Sequence, residues 1–518
     1  MLCTVNLQKN KLARSLRFLL LLVGGLLLPL AAAQPEDDVA SFRQAVAAEP
    51  DSAAAWADLG TALLGEDETA EARDAFLEAL ALDYRNGDAH FGLGLSEYRL
   101  GDYQSALFSF GELARLEPER FDGHYNRAVT FARLRMPEEA AEAFADALEN
   151  AEPGASLADE FNAWLGLAGQ RKLTGDYADA AEAYASALEI EPGDRDVRYL
   201  HAEALWKADD GLEALPLLTE LDDADNADHR VNSLIADIYM DEGQTDYAVR
   251  ALERAIRKAR DAGNATAEAG LHIKLGLLER RLGSDRAALA SFEEAVKVDP
   301  AAWQGHYNLG LAHLEAGRTD EAVTPLETAV SRAPASGEAR LALATAYDRT
   351  DDAEAALEQA EASLGLLTDA QLRAQADFLK GRSEYRLGDY EAAAASFDRV
   401  ISERPGDGQA QLWAGLTEYQ LGDYGSAVQY YERAVQLLPD SREARANLAA
   451  GYLASERYPD AEQAYGELLA EDPEDARSLY NLGWAQLSQN RRLEARDSFE
   501  AALELGWSAA ADTLEQHF

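Results

Sequence analysis

The sequence predicts an all-α solenoid, a stack of helix–turn–helix hairpins, and three observations carry that prediction. Near-identical segments recur: Tyr98-Arg-Leu-Gly-Asp-Tyr103, Tyr385-Arg-Leu-Gly-Asp-Tyr390 and Tyr419-Gln-Leu-Gly-Asp-Tyr424, the last two 34 residues apart. Frames set on them give thirteen repeats, starting at 53, 87, 121, 161, 195, 229, 269, 303, 337, 374, 408, 442 and 476. In all thirteen the eighth residue is Gly or Ala and the twentieth is Ala. At ordinary domain size 518 residues would suggest roughly three to five globular domains. Such a period replaces them with one array, because a single hairpin cannot bury its own apolar face and a stack can.

Taken in chain order, residues 1–33 read as a signal peptide. Lys9, Lys11, Arg14 and Arg17 precede an apolar run from Phe18 to Leu30, which ends in Ala31-Ala32-Ala33. Cleavage is expected after Ala33, leaving no stable membrane span. The run is short against the ~20 residues that a spanning helix needs. An uncleaved anchor is the alternative. Residues 34–52 are expected to form an N-terminal capping helix, with Phe42, Ala45 and Pro50 on the twenty-fourth, twenty-seventh and thirty-second positions of a missing repeat. The array then runs over 53–509.

Within each repeat, Gly or Ala at position eight is expected to face Ala at twenty where the two helices nearly touch. Position twenty-four is aromatic in nine repeats, among them Phe76, Phe110 and Phe292, and should fill the wedge toward the next hairpin. Gly101-Asp102 and Gly175-Asp176 read as a turn and an N-cap for the second helix. Proline at thirty-two, in seven repeats, stops that helix. Insertions near 151–160, 260–268 and 366–373 read as lengthened second helices or loops. The repeat at Arg195 is the weakest: Pro216 falls in its second helix, and an acidic run from Asp222 to Asp228 follows, giving a flexible joint or an acidic loop. Residues 510–518 form a C-terminal cap or tail.

This pattern resembles the tetratricopeptide repeat (TPR) family, specifically its exported bacterial members. The resemblance implies a right-handed superhelix whose concave groove is lined by positions two, five, nine, twelve and thirteen of each first helix. Carried onto this sequence, the protein-binding groove comprises Phe91, Tyr98, Tyr125, Tyr199, Trp206, Tyr307, Phe378, Tyr385, Tyr419, Tyr480 and Trp484. Aromatic side chains of this kind anchor partners through large rigid area and a polar tip. The family's clamp for acidic peptide termini needs Lys at position five, where this chain has Phe91, Tyr125 or Tyr307. An apolar segment with basic flanks suits the groove better.

Composition narrows the function. Ninety-four Asp and Glu against 47 Lys and Arg give a formal charge of −47, which repels nucleic acid. One cysteine, Cys3, excludes a disulfide framework. There is no metalloprotease, phosphate-loop, nucleophile-elbow or dinucleotide motif, so no enzyme, no cofactor and no metal is expected. His90, His124, His272 and His306 occupy the fourth position, where the family places a packing residue. The expected function is an exported scaffold, periplasmic or secreted, that binds protein or peptide segments in cell-envelope assembly. The alternative is a carbohydrate-binding export factor, its aromatic groove tracking a polysaccharide beside residues such as Glu97 and Arg382.

Overall fold

The computed structural model describes residues 39–150, 155–224 and 228–518. The leader expected over 1–33 lies outside them, as do 151–154 of the first insertion and 225–227 of the acidic run. The chain divides into two compact units, Met1–Ala262 and Gly263–Phe518. In the first, α1 (Val39–Ala48) precedes six hairpins: α2 (Ala53–Gly65) with α3 (Thr69–Leu82), α4 (Gly87–Arg99) with α5 (Tyr103–Leu116), α6 (Phe121–Arg133) with α7 (Pro137–Glu149), α8 (Leu157–Thr174) with α9 (Tyr177–Ile190), α10 (Arg195–Lys207) with α11 (Gly211–Ala224), and α12 (His229–Asp241) with α13 (Thr245–Asp261). The second holds seven more: α14 (Ala265–Arg281) with α15 (Asp285–Val298), α16 (Trp303–Glu315) with α17 (Thr319–Arg332), α18 (Gly337–Arg349) with α19 (Ala353–Leu364), α20 (Ala370–Leu387) with α21 (Tyr390–Glu403), α22 (Gly408–Leu421) with α23 (Tyr424–Leu437), α24 (Arg442–Ala454) with α25 (Tyr458–Glu471), and α26 (Ala476–Ser488) with α27 (Arg492–Glu504). Helix α28 (Ala509–His517) follows. Among the described residues, no helix is long and apolar enough to cross a membrane.

Ring size sets how closely the two helices of a hairpin approach. A Cβ on Gly94 would lie 2.6 Å from Phe110, and one on Gly276 or Gly415 would lie 2.6 Å from Phe292 or Tyr431. At these glycines the nearest neighbour of position eight is the ring at twenty-four, which the sequence reading places in the wedge toward the next hairpin. Ala at twenty is buried in every repeat, from Ala72 to Ala495, in its own contact with the neighbouring helix. The ring also reaches the following repeat. A Cβ on Gly92 would overlap the Phe76 ring, and one on Gly166 would meet Phe144 at 2.5 Å.

Every hairpin turn is left-handed at its fifteenth residue. Glycine supplies this at Gly101, Gly175, Gly243, Gly283, Gly317, Gly388 and Gly422, but Asp67, Arg135, Asp209, Asp351, Glu456 and Asn490 adopt it at φ between 60° and 65°. Asp102, Asp389 and Asp423 then cap the second helix by accepting from the backbone N–H of Ser105, Ala392 and Ser426. Asp176 does not. Its carboxylate instead accepts from Thr174 Oγ1 at 2.7 Å and Arg171 at 3.3 Å, and these two hydrogen bonds hold its pKa below the usual range.

Successive hairpins are tied by polar side chains at fixed positions. The fourth residue donates to the carbonyl six residues earlier: Trp56 to Pro50, His124 to Pro118, Arg198 to Pro192 and Arg340 to Pro334, and the rings of His90 and His306 lie 2.9 and 3.1 Å from the Tyr84 and Pro300 oxygens. Arginine at position thirteen donates to the open carbonyls at the end of the preceding first helix, Arg99 to Leu64 at 3.2 Å and Arg349 to Leu314 at 2.8 Å. The insertions mainly lengthen first helices. Helices α8 and α20 each run 18 residues, α14 runs 17, and only α13 is a lengthened second helix. Pro216 lies inside α11, yet Ala214, Leu218 and Leu221 of that helix are buried and Asp222 pairs with Lys258. The described part of the expected joint is thus packed helix.

Candidate functional site

Polar groups that might carry chemistry are committed to structure. Position eleven holds a buried acceptor for a serine hydroxyl twelve residues on: Ser109 donates to Glu97 at 2.7 Å, Ser396 to Glu384 at 2.6 Å and Ser498 to Gln486 at 2.8 Å. Burial raises the pKa of Glu97, and the Ser109 bond only partly offsets it. The sequence reading missed this link, although Glu or Gln at eleven with Ser at twenty-three was its visible signal. Asp348, 3% exposed, accepts from Arg382 at 2.9 Å and Arg386 at 3.1 Å, both on the next repeat. Glu97 and Arg382, the polar neighbours considered for a sugar site, are therefore both occupied.

The eleven groove candidates fall into three groups. Phe91 and Tyr125 are 2% and 1% exposed, packed against Phe110 and Phe144 at ring distances of 6.1 and 5.6 Å. They belong to the core, each packed on the ring at twenty-four of its own repeat. Tyr480 and Trp484 are covered by the C-terminal segment. Trp507 lies 5.9 Å from Tyr480, His517 lies 5.4 Å from Trp484, and Thr513 shares a hydrogen bond with Tyr480. The other seven are half-buried.

Among those seven, some already hold charged neighbours. Trp206 donates its indole N–H to Asp241 at 2.7 Å, with Lys207 over the ring. Tyr199 carries Arg230 over its ring at 5.1 Å, and burial pushes its pKa up to about 12. Tyr98 packs edge-on to Tyr103 at 5.1 Å, and Arg133 donates to the Tyr103 hydroxyl. Tyr307 lies 5.9 Å from Trp303.

Phe378 and Tyr385 lie on α20, and Tyr419 takes the place of Tyr385 on α22, where the repeat motif recurs in the consecutive hairpin. Tyr385 is edge-on to both Tyr390, at 5.3 Å, and Trp413, at 5.4 Å. Phe378 and Trp413 share the Phe397 ring at 5.9 and 6.3 Å, and Arg382 lies over Trp413. Gln420 reaches the Tyr385 hydroxyl at 3.5 Å. Tyr419 pairs edge-on with Tyr424 at 5.1 Å. Trp413, Tyr390 and Tyr424 were not among the sequence candidates, though the second tyrosine was already part of the repeated hexapeptide. Burial raises the pKa of Tyr385 and of Tyr419, so both stay neutral phenols. The cluster offers rigid aromatic walls with polar tips, a surface for binding side chains rather than for proton abstraction.

Comparison with known proteins finds tetratricopeptide repeats along the chain. One tetratricopeptide repeat model matches residues 30–83, 58–115, 91–156, 273–330, 315–370 and 378–442, more than half of the chain. A second matches 173–238 and 418–477, and a third matches 476–505. No curated protein matches. Similar solved structures include the APC/C hetero-tetramer Cut9–Hcn1, at 14% identity over 92% of this chain and 98% of that one, TM-score 0.36. The TPR protein YrrB, described as having an unusual peptide-binding site, is 22% identical over 37% of this chain and 95% of its own, TM-score 0.33. MamA is 23% identical over 33% of this chain and 91% of its own, TM-score 0.30.

Proposed function

We propose a function for a chain that belongs to the tetratricopeptide repeat family: it is a non-catalytic scaffold that captures a protein or peptide segment on the aromatic face of α20 and α22. The family membership supports a protein-interaction scaffold. The observation that carries the choice of face is the packing of half-buried Phe378, Tyr385 and Trp413 in one aromatic cluster, with half-buried Tyr419 at the position of Tyr385 on the next first helix. Aromatic anchors of this kind contribute most of the affinity at protein interfaces. The captured segment is apolar, with basic flanks that meet the acidic surroundings.

The second part of the reading is location. The basic start, apolar centre and Ala31-Ala32-Ala33 end support export to the periplasm or beyond, with a role in envelope assembly. The test is affinity capture from envelope extract, using the chain and its Tyr385→Ala/Tyr419→Ala variant. A partner held by the first and lost by the second, at equal helicity, supports the face. Retention of every partner by the variant rejects it. Full-length chain with an intact leader, found in the cytosol, rejects export.

A further inference from the structure

We infer that the outer face of α13 is a second binding surface, on residues other than those of the aromatic face, and that it takes a short acidic helical segment of another protein. Helix α13 carries a basic excess in a chain that has two acidic residues for each basic one. Over Thr245–Asp261 it has five basic residues against three acidic. Its inward side is spoken for: Ala248, Ala251, Leu252, Ala255 and Ile256 are buried, and Lys258 is 6% exposed and pairs with Asp222.

The outward side is not. Tyr247, Arg250, Arg254 and Arg257 are all exposed, and Tyr247 is 54% exposed. Their spacing of three, four and three residues places them in one row on the helix. Among the described residues none of these three arginines lies within ion-pairing distance of a carboxylate, and only Arg250 has a ring contact, with Tyr247 at 5.8 Å. Most other exposed arginines of the array, such as Arg115, Arg457 and Arg496, hold an acidic partner. Three guanidinium groups without an ion-pair partner, beside an exposed tyrosine, form an electropositive strip on a chain that is acidic as a whole.

The size and surroundings of the strip select its occupant. At 1.5 Å rise per residue, Arg250 to Arg257 span about 10 Å, the length of two helical turns. A row at three-four-three spacing is also the seam that a second helix packs along. Carboxylates spaced on that helix would each meet one guanidinium, which accepts them in a bidentate fork. A nucleic acid or an anionic membrane surface extends far beyond the strip and would meet the repulsion of a chain of formal charge −47. A second copy of this chain brings a charge of −47 to one of −47.

The test uses the chain and a fluorescent Glu/Ala/Leu peptide helix, with its Glu→Gln counterpart as control, read by anisotropy at low and high salt. The expected result is binding of the Glu peptide alone, weakened by salt and reduced at least tenfold by Arg250→Glu/Arg254→Glu/Arg257→Glu. The Arg250→Gln/Arg254→Gln/Arg257→Gln variant, milder on the fold, should lose affinity in the same direction at unchanged helicity. Equal binding by either variant overturns the proposal. So does tighter arginine-dependent binding of a DNA duplex or phosphatidylserine vesicles, or an arginine-dependent dimer in sedimentation. The groove variant Tyr385→Ala/Tyr419→Ala should bind the Glu peptide normally, so this surface and the groove fail separately.

Discussion

Gly94 and Phe110 show how one residue's size is fixed by another's shape. The ring lies where a Cβ on Gly94 would come to 2.6 Å, so a branched side chain there must push either the ring or a helix aside. Gly94→Val should destabilise its hairpin by about 1–3 kcal/mol, the usual cost of overpacking. Hydrogen exchange of α4 and α5 checks this, and unchanged protection would contradict it. Glu97 makes a second prediction. Burial raises its folded pKa above the unfolded value, so the folded state binds the proton more tightly. Its ionised form therefore costs stability as pH rises through that window, and the cost is absent below the unfolded value. Gln486 already plays the same part with Ser498. Glu97→Gln should thus raise the unfolding temperature at neutral pH and give no gain at acidic pH below the unfolded value. An equal gain at both would show that charge is not the cause. The small residue at eight was legible in the sequence; its partner was not. A repeat pattern reports which sizes recur, while the direction of each side chain decides which of them touch. The same holds for Phe91 and Tyr125, whose aromatic identity was plain and whose burial depends on the ring at twenty-four.

At the level of the hairpin, the turn is the most uniform feature in shape and the least uniform in sequence. The fifteenth residue is left-handed in all thirteen repeats, although six of them have a side chain there. That conformation costs an ordinary L-residue roughly 1–2 kcal/mol, and glycine gives back part of this through the entropy of the unfolded chain. Glu456→Gly should therefore stabilise its repeat by about 0.5–1 kcal/mol, measured by denaturant unfolding. A loss of stability would mean that the Glu456 side chain has a role of its own. Gly101-Asp102 announced such a turn directly. Glu456 did not, because the stack on either side imposes the turn whatever residue fills it. The insertions depart from the sequence expectation for a related reason. Extra residues between two hairpins can extend the helix before them or the helix after them. Only packing against the neighbouring repeat decides which helix takes them up.

At the scale of the molecule, stacking leaves open ends, and each end has a cover. Phe42 of α1 packs on the core of the first repeats, and α28 with Trp507 and Phe518 covers Tyr480, Trp484 and Phe499. Removing residues 506–518 should expose those rings, speed hydrogen exchange in α26 and α27, and promote aggregation; unchanged exchange would show that the last hairpin needs no cover. The sequence carried the repeat array because it follows from a period. It carried the binding face only in part, since the period names a row of positions and the structure decides which of them stay open. On α20 and α22, Phe378, Tyr385 and Trp413 form a half-buried aromatic cluster that no terminal segment covers among the described residues, and the proposed binding face lies there. The most direct test is hydrogen exchange of the chain with and without the partner that it captures. Slower exchange concentrated in α20 to α23 is the predicted result. Protection elsewhere, with those helices unchanged, would contradict it.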